Sequence, residues 1–149
     1  MASDVGLGVV CGLAGTGVMT AFQKFVEMPL TGRRDSYAPA ALAERVLPIG
    51  RMRKRQRRRL NYVMHFALGT GWGAAYGVAA HSGLRGQPAV GAVFGVMYPG
   101  DVLLATALRV YRPLEWTLGG TAIDVVDKLV QTEATGAIFD AVRGRPAPA

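Results

Sequence analysis

The sequence holds one cysteine and two histidines in 149 residues. Cys11 has no second cysteine to bond, so neither a disulfide framework nor a multi-cysteine metal site can be built within the chain. The signatures of common enzymatic chemistry are also missing: there is no P-loop or Rossmann phosphate loop, no HExxH and no G-x-S-x-G. Gly69-x-Gly71-x-Gly73 lies in an apolar run, where burying a phosphate would be costly. A non-enzymatic protein without metal or cofactor is expected. Haem ligation through His65 would need another chain, because His81 lies about 24 Å further along the same helix at 1.5 Å per residue.

Charge is scarce over long stretches. Residues 5–22 and 60–80 have none, and residues 89–108 have only Asp101. These runs hold most of the apolar residues in a chain that is 50 % hydrophobic with a mean hydropathy of +0.23. Soluble α/β domains spread such residues in shorter alternating or amphipathic runs. An uncharged run of about 20 residues spans the hydrocarbon core as a helix. The expected fold is therefore an all-α integral membrane bundle of four transmembrane helices. Their expected bounds are about 5–28, 60–81, 89–109 and 118–142.

The fourth of these is the least regular. Asp124, Asp127, Lys128 and Glu133 would each cost about 3 kcal/mol near a bilayer centre, so it spans only inside a bundle that pairs its charges. Asp124 and Lys128 are spaced as an i,i+4 pair. Lys24 and Glu27 are one turn apart at the end of helix 1, which Pro29 is expected to stop. Glu27, His65, Asp101, Asp124, Asp127, Lys128 and Glu133 are the candidate intramembrane polar groups, and together they are what a proton or ion path would use.

Glycine, at 20 residues, is abundant. Gly8 and Gly12, Gly69, Gly73 and Gly77, and Gly91 and Gly95 recur at four-residue spacing, which lets helix backbones approach closely in lipid. Asn61, His65 and His81 extend the second set into one row along a helix. The expected use is helix packing, within the chain or in a homo-oligomer or larger membrane complex. For His65 the bland role is an interhelical hydrogen bond and the sharper one proton transfer.

The net charge of +7 is local, since 11 of 17 Lys and Arg lie between Lys24 and Arg59. Seven of them fall in residues 51–59: Arg51, Arg53, Lys54, Arg55, Arg57, Arg58 and Arg59. No aromatic residue interrupts this run to stack a base, so nucleic acid is an unlikely partner. Anionic headgroups or a docking protein suit it better. The loop around it, residues 29–59, is expected on the cytoplasmic side, with the N-terminus outside. Within the loop a short helix beginning at Pro39 is expected along the headgroups. Beyond helix 3, Pro113 ends the span and Trp116 fits an interfacial belt.

Residues 12–34 (GLAGTGVMTAFQKFVEMPLTGRR), with HFALGTGWGAAYG at 65–77 and IDVVDKLVQTEATGAIFDAV at 123–142, resemble the small multi-pass bacterial inner-membrane proteins of the YagU type. Lys24, Glu27, Pro29, Leu30 and Arg33 and the His-plus-glycine second helix carry the likeness best. The resemblance implies a cytoplasmic-membrane protein without an established activity, loosely associated with acid or general stress. Three functions follow in order: a structural or accessory membrane subunit, a small proton or ion conductor using the intramembrane acids and His65, and a lipid- or protein-docking adaptor using the arginine run.

Overall fold

A computed structural model describes residues 1–112 and 117–144. Pro113 and Trp116 lie outside the described residues. Every described element is helical: α1 (Ala2–Phe22), a π-helical turn (Gln23–Glu27), α2 (Met28–Thr31), α3 (Ala38–Val46), α4 (Lys54–His81), α5 (Gln87–Ala107) and α6 (Leu118–Arg143).

Two boundaries differ from expectation for physical reasons. Pro29 does not stop the first helix, which continues to Thr31 and ends at Gly32 with φ 68°. Proline in an α-helix clashes with the carbonyl four residues back; the π turn just before it widens the register and lets it pass. The same turn rotates Lys24 away from Glu27, so the expected pair does not form. Lys24 donates to the Tyr62 hydroxyl instead. The second correction concerns the basic run. Residues 54–59 are not loop but the first turns of α4, opened by the Arg53 backbone N–H donating to Gln56 Oε1 at 2.9 Å. Arginine and lysine are good helix formers, and no proline or glycine separates them from the apolar stretch.

The four long helices pack in a ring, α1 to α4, α4 to α5, α5 to α6 and α6 to α1, with α4 also touching α6. Direction alternates around the ring. The closest seam is α1 against α4, where a Cβ on Gly12 would lie 2.7 Å from Gly73 Cα, and one on Gly77 would press on the backbone of Asp4 and Val5. Only hydrogen fits at these positions, so the backbones touch. The row Asn61, His65, Gly69, Gly73, Gly77 and His81 is used in full. Its lower end holds α3: Asn61 Oδ1 accepts from Ala40 N at 3.1 Å and Nδ2 donates to Ser36 O at 2.9 Å. Arg57 adds a two-pronged pair with Glu44, at 2.7 and 3.2 Å. Gly15 meets Gln131 and Thr135 of α6, and Gly136 meets the Tyr76 ring.

Gly91 and Gly95 behave otherwise. Both are exposed, with nothing within 4 Å of an added Cβ, so they pack nothing within the chain.

The interior is unusually polar. Asp4, Thr16, Asn61, Asp127, Gln131, Thr132 and Thr135 are buried, alongside an aromatic cluster of Trp72, Tyr76 and Phe139. Large apolar side chains lie on the outside of the long helices: Phe25, Val63, Val96 and Leu103 are 80, 65, 72 and 69 % exposed. Two helical segments, Ala2–Thr31 and Gln87–Ala107, are long and apolar enough to cross a membrane. Only 33 and 22 % of their most apolar stretches is buried, where the core helix of a soluble protein would be mostly covered. The expectation of four such helices is corrected to two. α4 and α6 have the length, but Asn61, His65 and the glycines of α4 and the acids of α6 dilute their apolarity.

Candidate functional site

At the end of the bundle where the basic residues gather lies a cavity of about 420 Å³. Its walls come from the end of α1 and its π turn, the segment before α3, the start of α4, the far part of α5 and the start of α6. It unites Glu27, His65, Asp124, Asp127 and Lys128 from the expected polar set. Asp101 stands beside it, accepting from Trp72 Nε1 at 2.8 Å and facing Lys128 Nζ at 3.9 Å.

Lys128 therefore pairs with Asp101 rather than with Asp124, its partner by spacing. Its ammonium lies 5.2 Å from the centre of the Trp72 ring, and this second attraction draws it across to α4 and α5.

The wall is acidic and the rim basic. Asp127 is 5 % exposed and Glu27 9 %. Asp127 Oδ2 accepts from Gln23 Nε2 at 2.7 Å, while the buried Oδ1 has no partner among the described residues. Glu27 Oε1 accepts from Thr31 Oγ1 at 2.8 Å and lies 4.0 Å from Arg33. Lys24, Arg33, Arg34 and Arg58 are exposed at the mouth. Tyr111 lines the cavity beyond the end of α5. Burial first, then the carboxylates of Asp124 and Asp101, pushes its phenol above the ordinary range.

The tautomer of His65 follows from its neighbour. His65 Nε2 lies 3.1 Å from Thr20 Oγ1, and that hydroxyl spends its one proton on Thr16 O at 2.7 Å. Nε2 is thus the donor, leaving Nδ1 as the atom able to take a proton. The expected interhelical hydrogen bond of His65 is present.

From this cavity a polar column continues between the helices. Gln131 Nε2 donates to Thr16 Oγ1 at 3.0 Å, and Thr135 Oγ1 to Gln131 O at 2.7 Å. Tyr76 then donates to Asp140 at 3.3 Å, and Gly86 N, which opens α5, to the same carboxylate oxygen at 3.0 Å. The far end closes on buried Asp4, which faces His81 Nδ1 at 3.1 Å and forms an ion pair with Arg143.

Some expected residues stand elsewhere. Glu133 is not an interior group but is exposed, accepting from Gln87 Nε2 at 2.9 Å, because its position on α6 turns outward at the start of α5. Arg51, Arg53, Lys54, Arg55 and Arg59 are exposed and form no cavity wall, apart from Arg59 at a shallow neighbouring hollow with Arg58. Sequence reasoning missed Gln23, Arg34, Tyr62, Tyr98 and Tyr111 as cavity residues and Asp4 and Asp140 as ends of the column. The one available signal was Gln23, a polar residue ending an apolar run.

Comparison with family models, with curated proteins and with solved structures finds no match.

Proposed function

We propose that the chain is a four-helix protein of the bacterial cytoplasmic membrane that conducts protons or small ions, with the cavity as its mouth on the cytoplasmic side. The observation that carries this reading is Asp127: a carboxylate with one oxygen unpartnered among the described residues, buried on the wall of a charged cavity, in a bundle that exposes many large apolar side chains. Intramembrane acids facing a water-accessible cavity are what ion pathways use. The bonded polar groups from His65 to Thr135, followed by the separate Tyr76–Asp140 and Asp4–His81–Arg143 groups, support continuation toward the opposite face. In this reading α4 and α6 cross the membrane as bundle members, their polar groups turned inward. The arginine concentration sets the cavity end inside.

This reading is preferred to a scaffold role because the glycine rows of α1 and α4 are already occupied by each other. A second reading keeps one observation: Gly91 and Gly95 remain open, so a homo-oligomer through α5 is compatible with either role. The exposed arginines would then grip anionic lipid beside the mouth.

The test is proton entry into liposomes carrying the purified protein and a trapped pH dye, driven by a potassium diffusion potential. Asp127→Asn should slow entry by about a hundredfold or more, the scale on which a positioned proton-transfer group acts. Flux unchanged in Asp127→Asn, Asp101→Asn and His65→Ala together would dispose of the reading.

A further inference from the structure

The cavity is more than a proton mouth, because its charges are sorted by depth. Most are already spoken for. Glu27 is held by Thr31 and Arg33, Lys24 by Tyr62, and Lys128 by Asp101 and the Trp72 ring. Of the remaining acids, Asp124 lies against the Tyr98 phenol and Asp35 is exposed at the mouth. Asp127 is the one buried acid of the lining with an oxygen, Oδ1, that has no partner among the described residues. At the mouth, Arg34 and Arg58 have no ion-pair partner among the described residues and are exposed. A buried carboxylate oxygen left unpaired costs free energy until a donor reaches it, and a free guanidinium is a ready fork for a carboxylate or phosphate.

We infer that the cavity binds a small zwitterion, its ammonium group directed inward to Asp127 and its anionic group held at the mouth by Arg34 and Arg58. This rests on the cavity being the working site proposed above, and names what that site takes. The overall balance agrees. Five cations and four acids line the space, Lys24, Arg33, Arg34, Arg58 and Lys128 against Glu27, Asp35, Asp124 and Asp127. A near-neutral lining with separated poles suits a ligand that is neutral in sum and polar along its length. A simple cation would meet the basic rim first, and a simple anion would find acids at the back. The volume of about 420 Å³ falls in the lower part of the range for small-molecule sites, roughly 300–1,000 Å³, so the ligand is of amino-acid or short-peptide size.

The experiment is calorimetric titration of the full chain in detergent with three probes of matched length: 4-aminobutanoate, butanoate and butylamine. The zwitterion should bind about tenfold or more tightly than either single-charge probe, the equivalent of one hydrogen bond to a charged group. Asp127→Asn should weaken 4-aminobutanoate and butylamine alike. Arg34→Ala with Arg58→Ala, both exposed and therefore safe for folding, should weaken 4-aminobutanoate by a similar factor and leave butylamine unaffected. Equal binding of butylamine, equal binding of butanoate, or binding of none overturns the inference. Proton flux without zwitterion binding would overturn it while leaving conduction intact; zwitterion binding without flux would do the reverse.

Discussion

The α1–α4 seam and the outer face of α5 use the same sequence pattern and do opposite things with it. Gly8 and Gly12 interlock with Gly73 and Gly77 so closely that added Cβ atoms would strike backbone, and one on Gly69 would strike the Thr16 side chain, whereas Gly91 and Gly95 face open space. Glycines four apart state only that a helix face can be approached. What separates the two is the company in the row. Around the seam glycines stand Thr16, Asn61 and His65, each bonded to another helix or to α3; around Gly91 and Gly95 stand Ala92, Val96 and Leu103, all exposed. Polar residues in register with small ones mark the face that is buried, because in an apolar surrounding they need a partner.

The comparison breaks first if the α5 face is not lipid-facing. Val96→Asp should lower membrane insertion by about 3 kcal/mol on insertion scales, read as loss of protein from the carbonate-resistant membrane fraction, with Val96→Ala unaffected. Full insertion of the aspartate variant would mean that α5 turns another face to lipid. Next in size is the seam itself. Gly73→Leu should destabilise the purified protein by about 2–3 kcal/mol, the upper part of the range for overpacking, because the neighbours it meets are the Gly8 and Gly12 backbone. Gly91→Leu should leave monomer stability unchanged. Unfolding in mixed micelles reads both, and equal effects would erase the distinction.

Much of the fold was legible in the residues. The apolar runs and the turn residues between them located the four long helices to within a few positions, and the row from Asn61 to His81 identified the face of α4 that contacts α1. Three things were not. The π turn at Gln23–Glu27 leaves no periodic trace, since it depends on Pro29 being carried within a longer helix. The start of α4 was hidden because six residues of Lys, Arg and Gln show no apolar rhythm, although their helix propensity is good. The cavity was half visible: acids and His65 stand out in apolar runs, but Tyr62, Tyr98 and Tyr111 read as ordinary aromatics until α4, α5 and the segment after α5 bring them to one space. Lys128 shows the limit of spacing rules most plainly, since Asp124 one turn away loses to Asp101 and Trp72 on other helices.

The smallest effect separates a hydroxyl that fastens two helices from one that bonds only within its own. Thr16 Oγ1 accepts from Gln131 Nε2 and donates to its own helix at Gly12 O, 2.7 Å away. Thr70 Oγ1 donates only to Ala67 O on its own helix. Valine replaces threonine with nearly the same shape, so Thr16→Val removes one interhelical hydrogen bond and leaves the buried Gln131 amide without that acceptor. The expected loss is about 0.6 kcal/mol and at most about 1.7, the measured span for such bonds between membrane helices. Thr70→Val removes only a local bond and should fall within error of zero in the same unfolding assay. If the two substitutions cost the same, the hydroxyls act through their own helices alone, and the polar column is a by-product of small residues rather than a fastening between α1 and α6.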